Sequence, residues 1–226
     1  MFQHITENYR RLLDGIEEVC AKAGRNPSEI RLMAVTKTVP PEAINHAISL
    51  GIDLIGENRV QELCGKLPHL NLDGVEIHLI GHLQSNKVRQ VVGLVQCIQS
   101  VDSVKIAVEI SKRSVGMQSV LLELNIGDQD SKFGFSAENI QEAAKEIALL
   151  PNLSIDGLMT IPPYSRDSRE NLENFWAAKR IFEEIRQKIP TMKILSMGMS
   201  SDFKEAIAAG STLIRVGSSL FGERVY

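Results

Sequence analysis

The run Arg31-Leu-Met-Ala-Val-Thr36, closed by Lys37 and followed by Pro41-Glu42 at the head of a helix that stops at Gly51, is the stretch on which the fold turns. Leu32 to Val35 are all apolar, which describes a strand buried on both faces, as in a parallel sheet with helical cover. Proline suits the first helical position and glycine suits the end of a helix. The same unit recurs along the chain. Apolar runs at 53–55, 76–80, 94–98, 119–124, 153–158, 193–195 and 212–215 read as seven further strands. Helical segments follow them from near Asn58, from about Asn86, over 102–114, 136–149, 168–188 and 202–209, and from Ser218. A first helix over 3–24, with Ile5, Leu12, Leu13, Ile16 and Val19 at helical spacing, precedes them all and ends at Gly24. Eight strand–helix units predict an α/β protein, a single (β/α)8 TIM barrel with an extra N-terminal helix. Counting strands does not by itself distinguish closure from an open doubly wound sheet.

The 226 residues suffice for one such barrel, which needs roughly 200, so one domain over 1–226 is expected. A net charge of −3 and 5% aromatic residues exclude a basic, base-stacking face for nucleic acid. Cys20, Cys64 and Cys97 are odd in number and far apart, unlike a disulfide framework or a zinc knuckle. The opening residues show neither a basic nor an apolar leader region, and no apolar run reaches membrane-spanning length. The expectation is a reduced, cytoplasmic protein with no membrane and no nucleic-acid partner.

Barrels carry their chemistry at the C-terminal ends of the strands. The first strand ends in Thr36-Lys37-Thr38 and the second in Gly56-Glu57-Asn58. The seventh ends in Ser196-Met-Gly-Met-Ser200-Ser201-Asp202, and the eighth in Arg215-Val-Gly217-Ser218-Ser219. Lys37 is the sharpest of these. An amine at a strand end is partly desolvated, which favours its neutral form, and a neutral amine condenses with an aldehyde. A solvated strand-end lysine has the same sequence signature. The two Ser/Gly loops lie after strands seven and eight, where many barrels bind phosphate through backbone N–H groups and a helix start. Ordinary helix capping by serine reads the same, and Asp202-x-x-Glu205 resembles a capping box. Arg215 is an ionised group on a barrel strand and needs a partner. That partner is an internal carboxylate, Glu57 or Asp202, or an acceptor on a bound ligand.

Other residues carry less. His78 and His82 stand on a strand and its turn with no third ligand nearby, so no metal site is expected. Asn58 with Gln61 reads as a helix N-cap. Gly198-Met-Ser200-Ser-Asp202 is not a nucleophile elbow, which needs a glycine where Asp202 stands. The polar stretch 128–134 reads as a rim loop with Lys132 solvated, and no Walker or dinucleotide fingerprint occurs.

Together, Ala34-Val-Thr-Lys37, Gly56-Glu-Asn58 with Val60-Gln-Glu62, His78-Leu-Ile-Gly-His-Leu-Gln-Ser-Asn-Lys87, Gln99-Ser-Val-Asp102, Gly157-Leu-Met159, Leu195-Ser-Met-Gly-Met-Ser200, Arg215-Val-Gly217 and Phe221-Gly222 resemble the YggS/PROSC family of pyridoxal phosphate homeostasis proteins. The resemblance spans nearly the whole chain in order. It implies a barrel of the alanine racemase N-terminal-domain type, with pyridoxal 5′-phosphate as cofactor in a Schiff base on Lys37. It further implies that Ser200, Gly217 and Ser218 hold the phosphate, that Arg215 meets the pyridine nitrogen, and that Ser201 and Asn58 are neighbours. Ile77 and Leu79 stand where the family often has aromatics, which puts local packing in question.

A cation at the pyridine nitrogen weakens the ring as an electron sink. Racemases of this type add a β-rich domain and a tyrosine base, for which a chain ending at Tyr226 leaves no room. The expected function is therefore a non-catalytic or weakly catalytic pyridoxal phosphate-binding protein in vitamin B6 homeostasis, with no catalytic residue assigned. PLP-dependent apoenzymes are the expected recipients, and a monomer or weak dimer is the expected state. A low-activity amino-acid racemase and a cofactor-free Schiff-base aldolase are the alternatives.

Overall fold

The computed structural model describes residues 2–127, 133–163 and 165–222. Nine strands are described: β1 (Arg31–Val35), β2 (Leu54–Glu57), β3 (Glu76–Leu79), β4 (Cys97–Val101), β5 (Gln118–Asn125), β6 (Phe135–Ser136), β7 (Leu153–Thr160), β8 (Ile194–Ser196) and β9 (Leu213–Val216). The α-helices are α1 (Gln3–Ala23), α2 (Pro41–Ser49), α3 (Val60–Lys66), α4 (Val88–Val91), α5 (Val104–Arg113), α6 (Ile140–Ala148), α7 (Ser168–Arg186), α8 (Phe203–Ala208) and α9 (Ser218–Phe221).

The ring closes. The sheet runs β4-β3-β2-β1-β9-β8-β7-β5, and β5 pairs back with β4, so eight parallel strands form a barrel and the open doubly wound alternative is excluded. The two-residue β6 lies outside that ring and pairs with the top of β5 at Leu124 and Asn125. The main core lies between strands and helices, with Phe175 and Phe182 of α7 its largest fully buried side chains. Side chains alternate along a strand, and the inward set includes Met33, Leu54, Ile80 and Leu213 with Val35 and Ile194 packed on them. Two residues beyond Val35 on the same face is Lys37. Two beyond Leu213 is Arg215. The period of two aims both at the interior.

Helix α1 ends as its glycine demands. Gly24 has φ 65°, and the Arg25 N–H closes on Cys20 O at 2.9 Å. The helix buries Ile5, Leu12, Ile16, Val19 and Cys20 and packs along the wall against α2, α8 and α9. Ile77 and Leu79 are both buried in the core. All three cysteines are free, and burial pushes the Cys97 thiol up to about 12. Among the described residues no helix is long and apolar enough to cross a membrane.

The fourth strand departs from its expected place. It occupies 97–101 rather than 94–98. Leu94 and Val95 fold into a turn, where their N–H groups both bond Val91 O, while the polar Gln99 and Ser100 enter the strand. Polar partners inside the barrel make that possible: Gln99 reaches His78 and Ser196, and Ser100 reaches Gly81 O. The helix expected from about Asn86 is a 3-10 turn, Ser85–Lys87, leading into the single turn α4. Helix α6 begins at Ile140 rather than 136, because Phe135 and Ser136 pair with β5.

Gly198, in the turn after β8, has φ +95°, and a Cβ there falls 2.5 Å from the Ala206 Cβ. Its carbonyl accepts the Arg215 N–H at 2.9 Å. Gly198→Ala is expected to cost about 3 kcal/mol, from the left-handed backbone and from overpacking. Urea unfolding checks this, and a loss under about 0.5 kcal/mol contradicts it.

Candidate functional site

Seven residues singled out from the sequence meet on one cavity. Lys37, Asn58, Ser200, Ser201, Arg215, Gly217 and Ser218 line about 300 Å³ at the C-terminal mouth, with Val35, Ile80, Ile161 and Met199 as its apolar wall. A larger space, about 510 Å³, lies on the other flank of Lys37, walled chiefly by Phe2, Ile5, Val39, Pro40, Ala43 and Phe221. The smaller one carries the convergent polar groups, which is what a specific ligand site needs.

Arg215 is 3% exposed and keeps its charge. Burial brings its pKa down to about 10, while Asp202 and Glu123 pull the other way. Neither of the carboxylates weighed as the alternative partner, Glu57 or Asp202, is bonded to it. Nη1 donates to Ser196 O at 2.8 Å and Ser196 Oγ at 2.7 Å, and Nη2 donates to Thr160 O at 2.9 Å. Glu57 is engaged with Lys66, and Asp202 accepts the Met199 N–H at 2.6 Å. The same contact corrects the capping box. Asp202 turns back to its own loop instead of capping α8, and Glu205 takes the Ser168 hydroxyl at 2.6 Å.

Behind Arg215 runs a buried polar chain. Ser196 Oγ donates to Gln99 Oε1 at 2.7 Å, and Gln99 Nε2 meets His78 Nδ1 at 2.8 Å. An amide nitrogen only donates, so His78 Nδ1 accepts and its proton sits on Nε2, 3.4 Å from Glu76 Oε2. Burial lowers the His78 pKa to about 4, against the pull of Glu76, so the ring is neutral at pH 7. Ser196, Gln99 and His78 were not expected in this role. Their signal is a polar residue at an inward position of an otherwise apolar strand.

His78 and His82 do not converge on a metal. Among the described residues no group of three ligating side chains occurs. His82 Nδ1 instead lies 2.8 Å from Asp102 Oδ2, and its ring stacks on Phe133 at 3.7 Å between centroids. Lys132 lies outside the described residues.

The loops after β8 and β9 are tied together. Ser200 Oγ accepts the N–H groups of Gly217 and Ser219, each at 3.2 Å, and Ser219 Oγ returns a bond to Ser200 O. Asn58 is not a helix cap. Helix α3 starts at Val60 behind Arg59, with no side-chain cap bond. Gly81 lets the loop after β3 lie against the Asn58 carbonyl, where a Cβ would fall 2.1 Å from the oxygen. Asn58 Oδ1 is buried with no hydrogen-bond partner among the described residues. A buried acceptor left unpaired is costly, and a ligand bearing a donor relieves it.

A closed parallel barrel with this rim is of the alanine racemase N-terminal-domain class, and the family model of that description matches residues 5–225. Within that class the chain belongs to the pyridoxal phosphate homeostasis protein family. It is 40% identical to the protein of that name from Aquifex aeolicus strain VF5, over 97% of this chain and 98% of that one. It is 38% identical to that of Escherichia coli strain K12, over 98% and 97%. Among solved structures, an unknown protein from Bifidobacterium adolescentis superposes with TM-score 0.93 at 35% identity, covering 97% of this chain and 95% of that one. PipY of Synechococcus elongatus PCC7942, solved with PLP bound, superposes at 0.80 with 33% identity, covering 92% and 100%. The alanine racemase of Corynebacterium glutamicum shares the fold, with TM-score 0.71 at 16% identity over 94% of this chain and 62% of that one.

Glu123, on β5, was passed over in the sequence. Burial pushes its pKa from 4.5 up to about 7, with Asp102 adding and Arg215 opposing. The folded state therefore holds a proton between pH 4.5 and 7 that the unfolded chain releases. Stability from this group is full below the unfolded value and is lost as pH rises through the folded one. Glu123→Gln mimics the protonated form. Its stability advantage over wild type is expected to grow from pH 4.5 to 7 and then level off near about 3 kcal/mol. Parallel stability–pH curves for the two proteins contradict the shift.

Proposed function

We propose that this chain holds pyridoxal 5′-phosphate in the cavity at the barrel mouth, with Lys37 as the covalent attachment point, and that it serves to keep and release the cofactor rather than to turn over a substrate. One observation carries the reading. A single lysine, a buried charged arginine and two cross-tied Ser/Gly loops face one 300 Å³ cavity, in a chain whose relatives are named for pyridoxal phosphate homeostasis. The orphaned Asn58 Oδ1 is consistent with a bound group that brings a donor.

When bound, the cofactor supplies an aldehyde and an electron-poor ring. Lys37 is placed to hold the aldehyde carbon. Ser200, Ser201 and Ser218 would offer hydroxyls to the phosphate, and Gly217, whose N–H is tied to Ser200 Oγ, would let the group approach the loop closely. Arg215 stays a cation at neutral pH; it would meet the ring nitrogen, and a cation there would keep that nitrogen unprotonated and restrain carbanion chemistry. Among the described lining residues only Lys37 and Arg215 are ionisable, with no carboxylate, imidazole, thiol or phenol among them. Proton exchange on both faces of the ring needs a second acid/base group beside Lys37 within hydrogen-bond reach, and no described lining residue supplies one, which supports holding over catalysis. The recipients of the released cofactor are PLP-dependent apoenzymes.

Protein mixed with pyridoxal phosphate is expected to show a visible imine band that borohydride bleaches, with the reduced pyridoxyl group mapping to the Lys37 peptide. Lys37→Ala is expected to lack both. A label on another lysine, or no visible band in wild type, refutes the site. Turnover of an L-amino acid that vanishes in Lys37→Ala refutes the holding role and leaves the cofactor in place.

A further inference from the structure

Lys37 is flanked by a network of charged groups that lines none of its cavity. Lys66, on the last turn of α3, has a side chain 11% exposed. Its ammonium donates to Thr36 O at 2.7 Å, Glu57 Oε1 at 2.8 Å and Glu62 Oε1 at 2.6 Å. Three donors meet three acceptors, the full capacity of the group. Glu57, 1% exposed, also takes the Thr36 hydroxyl at 2.9 Å and the Asn58 N–H at 3.2 Å. Glu62 Oε1 takes the Thr38 N–H at 2.5 Å. The peptide before Lys37 is thus held at its carbonyl and the peptide after it at its N–H.

Thr38 explains why such holding is needed. Its φ is +63°, one of two positive values at non-glycine residues among those described. A β-branched residue in that region is disfavoured and persists only where its surroundings over-determine it. Strain of this kind next to the reactive amine is what the clamp maintains. Burial acts to raise the Glu62 pKa, but the hydrogen bonds from Lys66 and the Thr38 N–H outweigh it and hold it low, so its acceptor stays charged.

We propose that Lys66, with Glu57 and Glu62, positions Lys37 by pinning both flanking peptides and holding Thr38 in its left-handed turn. The inference rests on the reading of Lys37 as the attachment point. These are positioning residues; none of the three lines the cavity.

The test compares pyridoxal phosphate capture, followed as the imine band, in wild type, Lys66→Met and Glu62→Leu, each with and without Thr38→Gly. Glycine adopts positive φ freely. Each single variant at 66 or 62 is expected to slow capture about tenfold, as misplacement of a reacting group does. Adding Thr38→Gly is expected to recover most of that loss, while the stability lost with the ion pairs, read by urea unfolding, is not recovered. If capture tracks stability and glycine rescues neither, the clamp is merely structural and the proposal falls. Should Lys66→Met fail to fold, the Glu62→Leu pair decides alone, because it removes the Thr38 tie and leaves the buried Lys66–Glu57 pair. Wild-type speed in both single variants overturns the positioning role and leaves the cofactor reading standing. If wild type captures no cofactor, that reading fails instead. The clamp is then read from the rate of reductive methylation of Lys37 by formaldehyde and cyanoborohydride, mapped by peptide mass. A slowed rate in the variants, rescued by glycine, supports it; an unchanged rate sinks it.

Discussion

A guanidinium taken out of water must find acceptors for its N–H groups or destabilise whatever encloses it. Arg215 meets that demand at the ends of strands, on the carbonyls of Thr160 and Ser196, and on the Ser196 hydroxyl. Much of the mouth follows. Ser196 must then give its own proton onward, Gln99 must present its oxygen to receive it, and Gln99 must place its nitrogen on His78. A polar residue thereby appears on each of four strands, β9 and β8 on one side of the ring and β4 and β3 across it, and each is satisfied only if the others keep their rotamers. Such a network is costly when broken and specifying when whole. It also frees Arg215 from any carboxylate at contact distance among the described residues, so its charge is available to whatever enters the cavity.

The carboxylates near the site are arranged around that charge without touching it. Asp202 serves its own loop, Glu57 serves Lys66, and Glu123 takes up a proton near neutrality. Two titrations of opposite sign result. His78 must stay neutral in the fold, so stability falls as pH drops from 6.5 toward 4. Glu123 prefers to stay protonated, so its share falls as pH rises from 4.5 toward 7. Over the shared interval the two contribute to the pH dependence of stability with opposite signs.

Lys37, Arg215, Gly217 and Ser200 were legible in the sequence because parallel strands end where their chemistry begins, and the ends were marked by the change from apolar to polar residues. That rule failed where the interior itself is polar. The apolar stretch ending at Ile98 looked like β4, yet Gln99 and Ser100 belong to the strand, since their partners come from β3, β8 and the loop after β3. Capping patterns failed for a different reason. Asn58 and Asp202 have cap-like spacing, but a cap is decided by which N–H is nearest after folding, and loop contacts claimed both side chains or their surroundings. Nothing local announces that Lys66 answers to Thr36, thirty residues away on another unit.

The ring of strands has one more consequence. Open sheets end in rows of unpaired N–H and C=O groups that recruit neighbouring chains. Here β4 and β5 join the two ends, and the short β6 is the one strand added beyond them among the described residues. Joining the sheet end to end removes the edge that a second copy of the chain would otherwise find as a template for pairing.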